Sequence, residues 1–231
     1  EIAAVSEGGF SASNNATKLA FKTGASEAAT EKMSISSVGN VTMKETETGD
    51  DTPMTLLLQT GETDIAANDV LGKIEFQAPD EGAGTDAILV AAAIDAVSEG
   101  DFSSSSNATK LSFRTGASET ATEKMSLDSA GTLLLTSTLA SASVGPNLYL
   151  TRTSASPADN DLCGDIIYTA DNDAGEDTTL VQMYATLLDA SNGSEDASLI
   201  IQTVTAGSYV ASCQFKGSGI QVPDGGNVGS T

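Results

Sequence analysis

The sequence predicts an all-β chain built from a repeated unit, with a core completed by neighbouring units or by other chains. Three observations predict it. A stretch of 42 residues recurs 92 positions later with 28 identities. Apolar residues come in short alternating runs, with Gly, Asn, Asp and Ser between them. Large side chains are scarce: 231 residues hold six Phe, four Tyr and no Trp, while Ser, Thr, Ala and Gly dominate. A buried aromatic covers about 150–250 Å², so a chain this poor in aromatics buries little by itself. At 39% hydrophobic, it is still too apolar for a disordered composition.

Residues 2–43 read IAAVSEGGFSASNNATKLAFKTGASEAATEKMSISSVGNVTM and residues 94–135 read IDAVSEGDFSSSSNATKLSFRTGASETATEKMSLDSAGTLLL. The same offset sets NDVLGKIEFQA (68–78) on NDLCGDIIYTA (160–170), and MTLLLQT (54–60) on PNLYLTR (146–152). The tail follows with small shifts, residues 215–222 falling on 127–134. The chain thus divides into the second half of a unit (1–53), a full unit (54–145) and a diverged unit (146–231). Opening in mid-unit, it is expected to be part of a longer array. A period of 92 far exceeds that of the short helical and leucine-rich repeats, so each unit must hold several strands.

Taken in order, the full unit offers six apolar segments: 54–59, 70–78, 87–96, 109–115, 124–128 and 132–136. In the second, Ile74 and Phe76 alternate with Lys73, Glu75 and Gln77. In the fourth, Leu111 and Phe113 oppose Ser112 and Arg114; in the fifth, Met125 and Leu127 oppose Ser126 and Asp128. Such alternation predicts strands with one buried face. The turns between carry Asp80-Glu81-Gly82, Ser98-Glu99-Gly100-Asp101 and Ser129-Ala130-Gly131. Residues 86–97 are ambiguous, because Ala91-Ala92-Ala93 lies among Ile88, Leu89 and Val90. A strand buried on both faces is preferred to a short buried helix, which would have no cap beyond Asp86.

Composition excludes several functions. Ten Lys+Arg against 32 Asp+Glu give a net charge of −22, which disfavours binding to nucleic acid or anionic lipid. Without histidine there is no Ser-His-Asp or Cys-His catalysis and no His-ligated metal. No apolar run approaches the ~20 residues of a membrane-spanning helix. Cys163 falls on the repeat position of Leu71 and Cys213 on that of Met125, so both are expected as buried thiols rather than as a disulfide or nucleophile.

Among the acidic turns, which include Asp50-Asp51 and Glu195-Asp196, the best candidate for structural calcium is formed by Asp171, Asp173, Glu176 and Asp177. Its spacing is not that of a twelve-residue EF-hand loop, and solvated turns are the preferred reading. No other cofactor is expected. A glycosidase needs two carboxylates ~5–10 Å apart in a cleft with stacking aromatics, and this chain lacks Trp. The charges recur with the unit: Lys18, Lys22 and Lys32 return as Lys110, Arg114 and Lys124, and Glu7, Glu27 and Glu31 return as Glu99, Glu119 and Glu123. They are expected on a solvated surface, some paired between strands or chains. The Asn-x-Thr/Ser sites at Asn15, Asn40, Asn107 and Asn192 are read as turn residues.

The order of these pieces resembles the repeat of tail-fibre and related appendage proteins of tailed bacteriophages. Its D-x-L-G-x-I-x-F strand appears as Asp69-Val70-Leu71-Gly72-Lys73-Ile74-Glu75-Phe76, and its A-x-I-x-A strand as Ala92-Ala93-Ile94-Asp95-Ala96. L-x-F-x-T appears as Leu111-Ser112-Phe113-Arg114-Thr115, and the last piece as Glu123-Lys124-Met125-Ser126-Leu127-Asp128-Ser129-Ala130-Gly131. The first half-unit ends Ser37-Val38-Gly39-Asn40-Val41, close to the family's S-x-G-N-V. It departs at Thr42-Met43-Lys44, where Gly-Ile-Gly-Thr often follows, and no self-cleaving chaperone domain is present, so the chain resembles shaft alone.

The resemblance implies a homotrimeric fibre, a triangular β-prism or β-solenoid-like shaft on the virion surface, without catalysis. Its partners would be copies of itself, adjoining virion proteins, and a host surface glycan or protein, with no nucleic acid and no membrane insertion. In such a trimer the inward face carries Leu19, Phe21, Met33 and Ile35 in the first half-unit. Ile74, Phe76, Leu111, Phe113, Met125 and Leu127 carry it in the full unit. The alternatives are a bacterial extracellular adhesin or filament, stiffened by calcium, and a glycan-degrading appendage.

Overall fold

The computed structural model describes residues 1–80, 82 and 88–222. The described residues form strands, turns and irregular segments, without a helix, and none of the structure is a helix long and apolar enough to cross a membrane. The chain divides into two compact units, Glu1–Thr138 and Leu139–Thr231. Fourteen strands form three antiparallel sheets, each a meander in which consecutive strands are neighbours.

The first sheet holds β1 (Ile2–Ser6), β2 (Thr17–Thr23), β3 (Thr30–Ile35) and β4 (Val41–Met43). The second holds β5 (Val70–Gln77), β6 (Val90–Ser98), β7 (Thr109–Thr115), β8 (Thr122–Leu127) and β9 (Leu133–Leu135). The third holds β10 (Asp161–Asp171), β11 (Asp177–Asp189), β12 (Asp196–Thr205), β13 (Ser208–Lys216) and β14 (Gly219–Gln221).

The repeat in sequence becomes a repeat in register. Phe21 pairs with Met33 as Phe113 pairs with Met125, and Leu19 with Ile35 as Leu111 with Leu127. The bulge in the first pair, between Phe21 and Lys22, returns between Phe113 and Arg114. Turns repeat too. Gly39 (φ +85°) and Gly131 (φ +84°) occupy the left-handed position before β4 and β9, which costs a glycine nothing sterically. Asn68 (φ 74°) and Asn160 (φ 70°) hold left-handed positions ahead of β5 and β10, a conformation asparagine tolerates well.

Two expectations are corrected. Segment 54–59 was expected as a strand, yet it pairs with no strand. A short apolar run marks a segment fit for pairing but does not supply the partner. Residues 88–97 do not form a helix: β6 covers Val90–Ser98, held on both sides by β5 and β7. Nor is β6 buried on both faces, since Ile94 is 38% exposed while Ala93 is 3% exposed. Glu81, Asp86 and Ala87, parts of an expected turn and of this segment, lie outside the described residues.

Among the described residues each strand pairs only with its ladder neighbours, and large apolar side chains such as Ile74, Leu111 and Leu133 stay exposed. The buried hydrophobic residues are Ala20, Ala93 and Ala121, and the buried polar ones include Ser34, Asp95, Ser112, Ser126 and Ser198. What is shielded is therefore a layer of small residues on the polar face of each sheet. The stems of long charged side chains can cover such a layer while their heads stay in water. Most large apolar side chains of the first two sheets lie on the opposite face, while Leu134 beside Ser126, and Leu162, Ile167 and Ile200 of the third sheet, share the polar one.

Candidate functional site

The distinctive surface is that opposite face. Residues directly opposite in an antiparallel ladder project to the same side. In the second sheet, Ile74, Ile94, Phe113, Met125 and Leu135 follow one another across all five strands. The next row runs Gly72, Ala96, Leu111, Leu127 and Leu133. The first sheet repeats both rows, as Ile2–Phe21–Met33–Met43 and Ala4–Leu19–Ile35–Val41. The third carries Ile166, Met183, Ile201 and Cys213 in one row. Cys163, Ala185, Leu199, Phe215 and Ile220 form the other.

Nine of the ten apolar residues expected to face inward fall in these rows. Phe21, Met33, Ile35, Phe113 and Met125 are half-buried. Leu19, Ile74, Leu111 and Leu127 are exposed, Leu111 by 45%. Phe76 does not join them: it pairs with Ala92 in a row that continues into Thr115 and Thr122, and it is also exposed. Sequence reasoning missed Ile94, Met43, Leu133 and Leu135. It named counterparts only for the strands with the cleanest alternation, although the 92-residue offset alone links Ile94 to Ile2 and Leu135 to Met43.

Two glycines notch the apolar face. Leu58, on the unpaired segment, sits over Gly72 so closely that a Cβ there would lie 3.0 Å from its own Cβ. At the equivalent place Leu150 sits over Gly164, where the distance would be 2.8 Å. Beside each lies an apolar hollow, one of about 290 Å³ lined by Leu58, Leu71, Ile74, Ile94 and Leu111. The other, of about 240 Å³, is lined by Leu148, Leu150, Ile166, Met183 and Leu199.

On the polar face, the recurring charges pair between adjacent strands of one sheet. Lys18 Nζ lies 2.6 Å from Glu31 Oε2, and Lys110 Nζ 2.8 Å from Glu123 Oε2. The lysine hydrogen bonds hold both carboxyls below the ordinary glutamate range. Glu27 and Glu119 sit in turns and are held low chiefly by the backbone N–H groups of Ser26 and Ser118. Glu7 accepts from Ser37 N–H at 3.1 Å and Glu99 from Ser129 N–H at 3.2 Å. Lys32 pairs with Glu45, while Lys124 donates to Thr138 instead.

Arg114 reaches Asp95 twice. Nη2 donates to Oδ1 at 3.1 Å, and Nε lies 2.5 Å from Oδ2 as an ion pair without hydrogen-bond alignment. In the third sheet neutral amides take over: Gln182 donates to Asp165 Oδ2 at 2.7 Å and Gln214 to Ser198 Oγ at 3.1 Å.

The calcium candidate is not assembled as a metal site. Asp171 and Asp177 are cross-strand partners at the ends of β10 and β11. The turn between them is closed by Asn172, whose Oδ1 accepts from Ala174 N–H at 2.9 Å and Glu176 N–H at 3.0 Å. Asn172 Nδ2 donates to Glu176 Oε2 at 3.1 Å, so a carboxylate the metal would need is already engaged. Among the described residues, no three acidic or cysteine side chains group as a metal ion requires. Cys163 and Cys213 are free and half-buried, whereas buried thiols were expected, because each stands on the uncovered apolar face.

No family model matches this chain, and no curated protein does. Among solved structures, the chain is similar to the carboxy-terminal domain of the bacteriophage T5 L-shaped tail fibre at a TM-score of 0.34 and 13% identity, covering 82% of this chain and 92% of that one. It is also similar to the same domain with its intra-molecular chaperone domain, at a TM-score of 0.34 and 12% identity, covering 81% of this chain and 63% of that one.

Proposed function

We propose that this chain is a stretch of the shaft of a tailed-bacteriophage fibre, in which identical copies, three in number, meet through the apolar faces of their sheets. The observation that carries the reading is the division of each sheet into two faces. One is closed by pairs such as Lys110–Glu123 and Arg114–Asp95. The other presents unbroken apolar rows such as Ile74–Ile94–Phe113–Met125–Leu135, which the Leu58 segment overlies at one side while Ile74 and Ile94 stay exposed. A sheet with one apolar face must bury it. Each half-exposed Leu or Ile covered on assembly contributes about 1 kcal/mol. The number three, the virion location and the role in host attachment rest on the sequence's resemblance to phage appendage repeats. The mechanism is mechanical: stacked β-layers hold a receptor-binding tip away from the particle, and the shaft performs no catalysis.

Light scattering tests the reading. A mass of three 23.3 kDa chains, resistant to SDS until heated, is expected. A compact monomer at micromolar concentration that melts sharply overturns it.

A further inference from the structure

Segments 54–59 and 148–151 are the least explained parts of the chain. Both run without a turn or bend. No backbone group in either makes a hydrogen bond to a described residue. Each sends one leucine down onto its own sheet, Leu58 over Gly72 and Leu150 over Gly164. Between these anchors the neighbouring side chains point away: Leu57 is 75% exposed and Tyr149 82% exposed. Backbone donors and acceptors without partners are costly once water is excluded.

The same units carry a matching deficit. Among the described residues, β5 pairs only with β6 and β9 only with β8, while β10 pairs only with β11 and β14 only with β13, which leaves each five-stranded sheet two open edges there. Within one chain the two deficits do not cancel, because each segment lies over the face of its sheet rather than alongside an edge. Just beyond the second segment, a side chain reaches the edge strand, Arg152 Nη1 donating to Leu162 O at 3.0 Å.

We infer that residues 54–59 and 148–151 are interchain strands, each adding to an open sheet edge of a neighbouring copy of this chain while its leucine anchor stays on its own sheet. This inference rests on the assembly proposed above. An extended segment that joins an edge gains main-chain hydrogen bonds, and alternate side chains supply specificity. Here Leu57 and Tyr149 are those side chains.

Two arguments make the partner another copy. The two segments recur 92 residues apart, so a partner that receives both in register needs open edges at the same period, and this chain has them. Residues 53–60 and 144–151 also carry no charge in a chain of net −22, which lets copies approach there without repulsion.

Hydrogen exchange read by mass spectrometry on the assembled protein tests this. Amides of 54–59 and 148–151 are expected to exchange about tenfold or more slower in the assembled protein than the same amides in the heat-denatured, unprotected chain. A second measurement uses Leu57→Asp, which leaves the Leu58 anchor intact. It is expected to lower the assembled mass in light scattering while strand content by circular dichroism stays unchanged.

If the oligomer forms but these amides exchange as fast as unprotected ones, or if Leu57→Asp assembles like wild type, the interchain strand is wrong and the assembly reading stands. If wild-type protein is monomeric, both are wrong.

Discussion

Lys18 and Glu31 stand on adjacent strands with Nζ and Oε2 2.6 Å apart, and Lys110 and Glu123 repeat the pair at 2.8 Å. Together they fix the sign of the acid response. Glu123 has its folded pKa lowered, first by the Lys110 hydrogen bond and then by the Ser112 and Ser126 hydroxyls. The stability it contributes is complete above the unfolded glutamate value and is lost as pH falls through the lower folded one. Glu123→Gln is therefore expected to melt below wild type at pH 7, with the difference shrinking toward pH 3. Thermal melts across that range check it.

Asp95 and Arg114 form a pair found in the full unit alone, since Ala3 and Lys22 occupy the equivalent places in the first sheet. The Asp95 side chain is 4% exposed. Asp95→Ala leaves a half-buried guanidinium whose remaining ion-pair partner among the described residues is Glu75, 3.9 Å away. A cost of about 2–3 kcal/mol is expected in urea unfolding. Adding Arg114→Lys recreates the first sheet's arrangement and should recover part of that loss.

Gly164 and Gly72 separate steric from conformational demand. A methyl at Gly72 meets only Leu58 Cβ at 3.0 Å. At Gly164 it meets Leu150 Cβ at 2.8 Å, and the backbone is also left-handed at φ +61°. Gly164→Ala should cost about 1–2 kcal/mol more than Gly72→Ala, the penalty of a left-handed L-residue. Denaturant titration of the two variants measures the difference.

Leu111 distinguishes a free face from a covered one. Leu→Ala in a packed core costs about 2–5 kcal/mol. Leu111 is half-exposed in the single chain, so Leu111→Ala should cost well under 2 kcal/mol in dissociated protein and approach the core figure in the assembly. Unfolding followed at high and low protein concentration reads both values.

The Asn172 side chain closes the turn from Asp171 to Asp177. Asn172→Ala removes the acceptor for two backbone N–H groups and should destabilise the third sheet by about 1–2 kcal/mol. Chelator is expected to leave the melting temperature of wild type unchanged.

Much of this fold was legible in the sequence because one pattern served two scales. Alternation in 109–115 and 124–128 marks β7 and β8, and the 92-residue offset carries them onto β2 and β3. Legibility failed where local pattern and partner came apart. Residues 54–59 form an apolar run suited to a strand, but pairing depends on a neighbour the local sequence does not contain. The alanines of β6 looked suited to burial on both faces. In the fold Ala93 lies under the polar side and Ile94 on the open one. In the third sheet the row equivalences drift: Cys213 pairs with Ile201 as Met125 pairs with Phe113, four residues short of the 92-residue offset. The shift arises in the connections, where a turn can lose residues without changing which side chains share a face. The roles of Glu27 and Glu119 were hidden for another reason. A carboxylate that caps its own turn cannot be told from a solvated one by composition.

The register-for-register identity of β1–β4 with β6–β9 also bears on how such a molecule changes over time. Stretches of a gene that encode such related repeats can misalign during recombination, deleting or duplicating one period. A chain shortened that way rejoins every ladder in phase, because the junction falls at equivalent places in identical meanders. Length is thereby countable in whole repeats, and reach can be adjusted by copy number without redesigning a single contact.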